Sequence, residues 1–192
     1  MGVGYRPAVT GTRPGAPRHV LAHTSGLDPA QLGGIRALLD DAFAGDFDDD
    51  DWEHALGGVH ALALDGDRVV GHASVVQRRL VAGERVLRAG YVEGVGVHPA
   101  RRRQGIASRL MHDLEEVIRR AYDLGALGAS DDAARLYEAR GWVAWRGPLA
   151  ALTPAGVVET PDERGAVYVF PVTPGLDLDA RLICDWRDGD VW

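Results

Sequence analysis

"VGVHPARRRQGIASRL", Val95–Leu110, opens as an alternating apolar run and closes on apolar residues at helical spacing. Between the two lie Arg101, Arg102, Arg103 and Gly105. A strand therefore hands over to a helix through a turn of cations and small residues. A helix leaves its first four backbone N–H groups without acceptors, and its dipole adds about half a positive charge there. An anion satisfies both. Close approach of an anion calls for small residues, which R-x-x-G-x-A supplies at Arg102, Gly105 and Ala107. Arginine forks suit phosphate. The turn is neither the G-x-x-x-x-G-K-[ST] phosphate loop nor the three-glycine dinucleotide fingerprint.

Working outward, the residues before this turn read as strands. "VHALALDGDRVVGHASVV" is two strands joined at Asp65-Gly66, a hairpin signal. "RRLVAGERVLRAGYVEGVGV" repeats the pattern around Gly83, and "HVLAHT" is a first strand. Asp28 before Pro29 marks an N-cap and the first position of a helix, which would carry Leu32, Ile35, Leu38, Leu39 and Phe43 on one face. "GDFDDDDWEHALGG" caps a short second helix ending at Gly57 and Gly58.

After the arginines, Ile106, Leu110, Leu114, Val117, Ile118 and Ala121 recur at helical spacing. "LGALGA" is a short strand. Asp131 is expected to cap a helix through Leu136 and Tyr137 that ends at Gly141, and "WVAW" and "AVYVFPV" are further strands. Residues 1–18 are rich in Gly, Pro, Thr and Arg without periodicity and are expected to be a disordered extension. Residues 19–192 are expected to form one domain. The element order predicts an α/β (α+β) fold, a mixed sheet with helices on both faces.

The 192 residues carry 28 acids against 21 bases, a net charge of −7, and every base is arginine. An acidic surface disfavours nucleic acid and anionic membranes and is compatible with a cationic ligand. No apolar run is long enough to span a bilayer, and without a basic-then-apolar opening no export is expected. The lone Cys184 cannot form an internal disulfide and fits a reducing cytoplasm. The histidines and cysteine show no zinc spacing, and "DFDDDDW" lacks the glycine and terminal glutamate of a calcium loop, so no metal is expected.

The unit strand–"RRRQGIA"–helix resembles the pyrophosphate-binding signature of the GCN5-related N-acetyltransferases (GNAT), which use acetyl-CoA. "AFAGDF", "DWEHALGGVHAL", "VVQRRL", "YVEGVGV", "AYDLGAL", "RLYEARGW" and "CDWRDGDVW" resemble the aminoglycoside 2'-N-acetyltransferases within that superfamily, from about Ile35 to Trp192. The resemblance implies a mixed, mostly antiparallel acyl-CoA N-acyltransferase sheet and acetyl transfer to the 2'-amine of an aminoglycoside. It implies acetyl-CoA as cosubstrate, antibiotic resistance as consequence, and a homodimer. Two alternatives stay open: acetylation of a metabolic amine or amino sugar, and a non-catalytic acetyl-CoA-binding module.

An alkyl amine has a pKa of about 10.4 and must lose a proton before it attacks a thioester. Glu93 interrupts an apolar strand, where a carboxylate must be partnered or functional. It is read as the base, directly or through water, or as an ion-pair partner of an arginine such as Arg88. Gly94 and Gly96 would let the strand bulge and a ligand approach. The resemblance implies Tyr137 as the acid beside the thioester sulfur. The backbone N–H of Val95 is the expected oxyanion donor, and Val95 and Val97 would pair with the pantetheine arm. Arg102, Arg103, Gln104, Gly105, Ile106 and Ala107 would hold the pyrophosphate.

For the cationic sugar, the resemblance implies Asp46, Glu93, Gly94, Gly128, Glu163, Asp190 and Trp192, with its carboxylate. Trp186 and Trp192 would dock the acidic tail. Asp46 has a second reading, as a cap for the helix at "DDDWEHAL". Glu163 stands where relatives use aspartate, and Gly128 where some have serine.

Overall fold

A computed structural model describes residues 15–130 and 133–192. The chain divides into two compact units. One holds the described residues up to Val75 together with Glu93–Leu114; the other holds Val76–Val92 and Glu115–Trp192.

In the first unit, β1 (Arg18–His23) pairs antiparallel with β2 (Val59–Asp65), from Arg18↔Leu64 to His23↔Val59. β2 pairs antiparallel with β3 (Arg68–Ala82) around the expected Asp65-Gly66 turn. Helix α1 (Pro29–Ala42) begins where Asp28-Pro29 places it: Asp28 accepts from the Gln31 N–H, and the Gln31 side chain accepts from the Asp28 N–H. Its stripe of Ile35, Leu38 and Leu39 packs with Phe47, Leu62, Leu64 and Val69. Each such side chain contributes about 1.5–3 kcal/mol by leaving water. Phe43 does not join that face: it follows the helix, is 39% exposed, and lies against Phe47, ring centroids 5.4 Å apart. Helix α2 (Asp49–Ala55) is capped by Asp48, not Asp46: Asp48 accepts from the Asp51 N–H.

β3 runs unbroken for 15 residues, joining two segments that the sequence presents as parts of separate hairpins. β4 (Arg85–Val97) follows the turn at Gly83. In the second unit the strand order is β6-β9-β5-β4-β3-β10-β7-β8, with β5 Leu124–Gly128, β6 Val143–Ala144, β7 Leu149–Thr153, β8 Gly156–Glu159, β9 Val167–Pro171 and β10 Leu182–Asp185. β4–β5 and β10–β7 are parallel; β10–β3, β5–β9, β6–β9 and β7–β8 are antiparallel. This is the mixed, mostly antiparallel pairing expected. β7, β8 and β10 carry no sequence signal strong enough to predict them. Tyr91, Leu124, Trp145, Leu149, Val169, Leu182 and Trp192 belong to this unit's core.

Helix α3 (Ile106–Ala121) buries Ile106, Leu110, Leu114 and Ile118 as its spacing requires; Met111 and Glu115 are buried too, while Ala121 is exposed. Helix α4 (Ala134–Glu138) carries Tyr137 and stops before Gly141. Its expected cap, Asp131, lies outside the described residues. Among the described residues no helix is long and apolar enough to cross a membrane.

Candidate active site

In the first unit, the end of β4 departs from regular pairing. A two-residue turn at Gly83–Glu84 continued in strict register would set Val97 opposite Val70. The N–H that donates to the Val70 carbonyl is instead that of His98, at 3.0 Å. β4 therefore holds one extra residue here, a bulge, and Gly94 at φ +56° takes the conformation that accommodates it. The Gly94 carbonyl accepts from His72 Nδ1 at 2.7 Å, and Ser74 Oγ lies 3.4 Å from the Glu93 carbonyl. Glu93 is half-buried at the bulge. Its alternative partner Arg88 is engaged elsewhere, with the Arg88 N–H donating to Asp123 at 2.8 Å and its guanidinium 3.7 Å from the same carboxylate. Gly96 lets α1 close on the strand: a Cβ there would stand 2.8 Å from Leu39 and 3.2 Å from Ala42.

The turn after β4 leaves backbone donors exposed. Arg103 sits at φ +60° and Gly105 at φ +77°, left-handed positions two apart that turn successive N–H groups to one side. For a non-glycine residue that conformation costs about 1–3 kcal/mol. A Cβ on Gly105 would meet nothing within 4 Å, so conformation, not crowding, selects glycine. The first bond into α3 runs from the Arg109 N–H to the Gly105 carbonyl at 3.0 Å, so the N–H groups of Ile106 and Ala107 lie ahead of the helical ladder. The Ile106 side chain is buried and anchors the turn.

The three arginines divide their work. Arg101 pairs with Asp65 at 2.7 Å, and Arg102 donates to the Ala42 carbonyl at 2.8 Å. Arg103 and Gln104 are exposed. Among the described residues Arg103 has no ion-pair partner. Val95 and Val97, both half-buried, lie on β4 immediately before the turn. Asp46, exposed, lies on the same unit's α1–α2 loop, where Ala44 and Gly45 are left-handed at φ +57° and +87°.

The other expected residues lie in the second unit. Tyr137 is 5% exposed, its ring 6.0 Å from Trp142 and 6.4 Å from Tyr168. Burial pushes its phenol up to about 12. Trp192 is 7% exposed, and its indole N–H donates to Thr160 Oγ1 at 2.8 Å. Trp186, expected to share that docking, stays 48% exposed. Arg187, which the sequence did not single out, donates to the Asp190 carbonyl at 2.6 Å and to a Trp192 main-chain oxygen at 3.1 Å. Gly128 faces Trp192: a Cβ there would lie 3.5 Å from its main-chain carbon and oxygen. The Glu163 carboxyl is raised above its ordinary range, first by burial and then by the charges of Asp190 and Asp162. A cation beside such a cluster relieves that repulsion.

The expected residues thus form two sets. Asp46, Glu93, Gly94, Val95, Val97 and the 102–107 turn belong to one unit; Gly128, Tyr137, Glu163, Asp190 and Trp192 belong to the other. A carboxylate beside a bulged strand and an amide-rich turn at a helix start together suit acyl transfer from a nucleotide-bearing thioester. A family model described as an acetyltransferase (GNAT) domain matches residues 25–144. The chain belongs to the GNAT acetyltransferases, a family that uses acetyl-CoA.

Among curated relatives, it is 50% identical over 176 residues to the aminoglycoside 2'-N-acetyltransferase of Mycolicibacterium fortuitum, covering 90% of each chain. The fold is also that of the GNAT N-acetyltransferase YhbS of Escherichia coli, solved in complex with CoA (TM-score 0.63, 19% identity, 93% of this chain and 94% of that one). Escherichia coli ElaA matches at TM-score 0.54 and 19% identity, over 79% and 97%.

Proposed function

We propose that this chain acetylates the 2'-amine of aminoglycosides with acetyl-CoA. The observation that carries the reading is the placement, within one unit, of the Glu93 carboxylate, the bulge at Gly94 and the Arg103–Gly105 turn. The 50% identity along 90% of the M. fortuitum enzyme supports the substrate class.

The residues of the turn fit a diphosphate: the left-handed Arg103 and Gly105, the Ile106 and Ala107 N–H groups, and the exposed Arg103 guanidinium. Bound there, acetyl-CoA supplies the activated acetyl group. Glu93 takes the ammonium proton, directly or through water, and so frees the amine lone pair. The Val95 N–H donates to the oxygen that gains negative charge as the amine attacks. Tyr137 keeps its proton at neutral pH and donates toward the sulfur as the thiolate leaves. The proposed contacts of the cationic sugar are Asp46 and Gly94 in the first unit and, in the second unit, Gly128, Glu163, Asp190 and Trp192.

CoA release with gentamicin or tobramycin tests this. Turnover is expected, and Glu93→Gln should slow it by about 10²–10⁴ with CoA still bound. No turnover, where the M. fortuitum enzyme works alongside, rejects the reading. A higher kcat/KM for a metabolic amine than for any aminoglycoside would move the substrate and leave the chemistry.

A further inference from the structure

Two buried imidazoles have no part in the chemistry above. His60 on β2 and His72 on β3 are both 0% exposed. Burial lowers His60 to about 4 and His72 to about 3, so both are neutral near pH 7.

Their tautomers follow from their neighbours. His72 Nδ1 lies 2.7 Å from the Gly94 carbonyl, which can only accept, so the His72 proton is on Nδ1 and Nε2 is bare. Nε2 lies 2.9 Å from His60 Nδ1, which must therefore carry the His60 proton. His60 Nε2, bare in turn, accepts from the Thr24 hydroxyl at 2.7 Å. Thr24 Oγ1 itself accepts the Gly57 N–H at 2.8 Å. Its single proton goes to that short contact and not to the Gly58 carbonyl at 3.3 Å. Every donor points the same way, from Gly57 to Gly94.

A planar trans peptide holds its C=O and N–H on opposite sides. The Gly94–Val95 peptide is trans. Drawing the Gly94 carbonyl to His72 therefore turns the Val95 N–H away from it. Gly94 lacks the side chain that would otherwise restrict this peptide, and the imidazole packs on it: a Cβ at Gly94 would lie 3.3 Å from His72 Cε1 and Nδ1.

The structure assigns His72 as a positioning residue that aims the Val95 N–H through the Gly94 carbonyl, with His60 and Thr24 locking its tautomer. The assignment rests on the proposed role of Val95 in acetyl transfer. The ordinary alternative is that the pair merely fills the interior.

Leucine and asparagine at residue 72 have nearly the same shape, and only asparagine keeps an N–H donor near the Nδ1 position. Steady-state kinetics and CoA titration of wild type, His72→Leu, His72→Asn and Glu93→Gln separate the possibilities. Losing an oxyanion donor costs about 10²–10³ in kcat. Misaiming one should cost roughly 10- to 100-fold in kcat for His72→Leu, with CoA affinity within about threefold of wild type. His72→Asn should recover most of the rate. Equal rates for the two variants, or a wild-type rate for His72→Leu, overturn the assignment. A wild-type rate for Glu93→Gln would sink the catalytic reading itself; a slow Glu93→Gln beside a fast His72→Leu sinks only this inference. Should the leucine variant not fold, ring ¹⁵N shifts of the unaltered protein decide: Nδ1–H is expected at His72, and an Nε2–H tautomer overturns the assignment.

Discussion

Arg187 holds a main-chain oxygen of Trp192 at 3.1 Å while its Nε donates to the Asp190 carbonyl at 2.6 Å, so one guanidinium closes the segment between them into a loop. The same guanidinium lies 5.3 Å from the centroid of the Tyr91 ring, against which Arg78 also lies at 4.6 Å. Asp190 is thereby presented from a fixed backbone. Arg187→Ala should raise KM for an aminoglycoside and lower kcat/KM roughly tenfold, leaving KM for acetyl-CoA near wild type. Initial rates with each substrate varied in turn check it; an unchanged aminoglycoside KM counts against a substrate role for this segment.

Two glycines of the same unit respond oppositely to a side chain. At Gly128 an added Cβ finds ordinary contacts, 3.5 Å to Trp192 and 3.9 Å to the Tyr91 hydroxyl oxygen. At Gly147 it would run into the main-chain carbonyls of Ala180 and Asp179. Gly128→Ser should leave stability within about 0.5 kcal/mol, whereas Gly147→Ala should cost about 1–3 kcal/mol or more. Urea unfolding of both variants makes the comparison, and a Gly147→Ala as stable as wild type would refute it.

Glu115 is 2% exposed and accepts from Arg140 Nε and Nη2 at 2.7 and 2.6 Å, and from the Trp142 indole N–H at 3.0 Å. These bonds tie α3 to the residues after α4. Removing one partner strands buried charge, so Glu115→Ala should cost about 3–5 kcal/mol. Calorimetry reads this; a loss below about 1 kcal/mol would mean that water reaches the cluster.

The first unit was the more legible because its elements carry local chemistry. Asp28-Pro29 announces α1, and Asp65-Gly66 announces the β2–β3 turn. β3 was harder: residues 69–76 are all buried, so the period-2 alternation that reveals a strand disappears and its length is hidden. β8 is four residues long and exposed throughout, so its adjacent valines show no alternation, and β10 is four residues long. Four consecutive aspartates hid which one caps α2, and the structure gives that role to Asp48 and leaves Asp46 exposed.

At the site, Glu93 and the turn stood out because a carboxylate in an apolar strand and arginines at a helix start are locally odd. His72 and Arg187 did not. A histidine within "GHASV" becomes informative only when folding sets it against Gly94, and Arg187 only when it reaches Trp192.

Tyr137, buried against Trp142 and Tyr168, has its phenol pushed up to about 12. It stays protonated at neutral pH. In the proposed mechanism, full transfer to an alkyl thiolate, ordinarily near 8.5, is uphill by roughly 3.5 pH units, so the role proposed for Tyr137 is the hydrogen bond offered to the departing sulfur. Tyr137→Phe should lower kcat about 10- to 100-fold without removing any limb of the pH–rate profile below about pH 11. A descending limb near pH 9 that vanishes in the phenylalanine variant would show an ordinary phenol titrating there.

His60 and His72 make stability sensitive to acid. Both titrate below their unfolded value of 6.5, at about 4 and about 3, through burial first; the charge of His23 further lowers His60, and that of His60 further lowers His72. The unfolded chain therefore binds more protons between those values and 6.5. Stability from this pair is complete above about pH 6.5 and declines as pH falls toward 4, by up to about 1.4 kcal/mol per pH unit for each group. His72→Asn removes one of the two protons from that balance. Its unfolding free energy, measured in urea at pH 7, 6 and 5, should fall less steeply than that of wild type. Parallel declines would mean that His72 takes up its proton in the folded protein as readily as in the unfolded chain, which burial and the proton that His60 Nδ1 points at His72 Nε2 oppose.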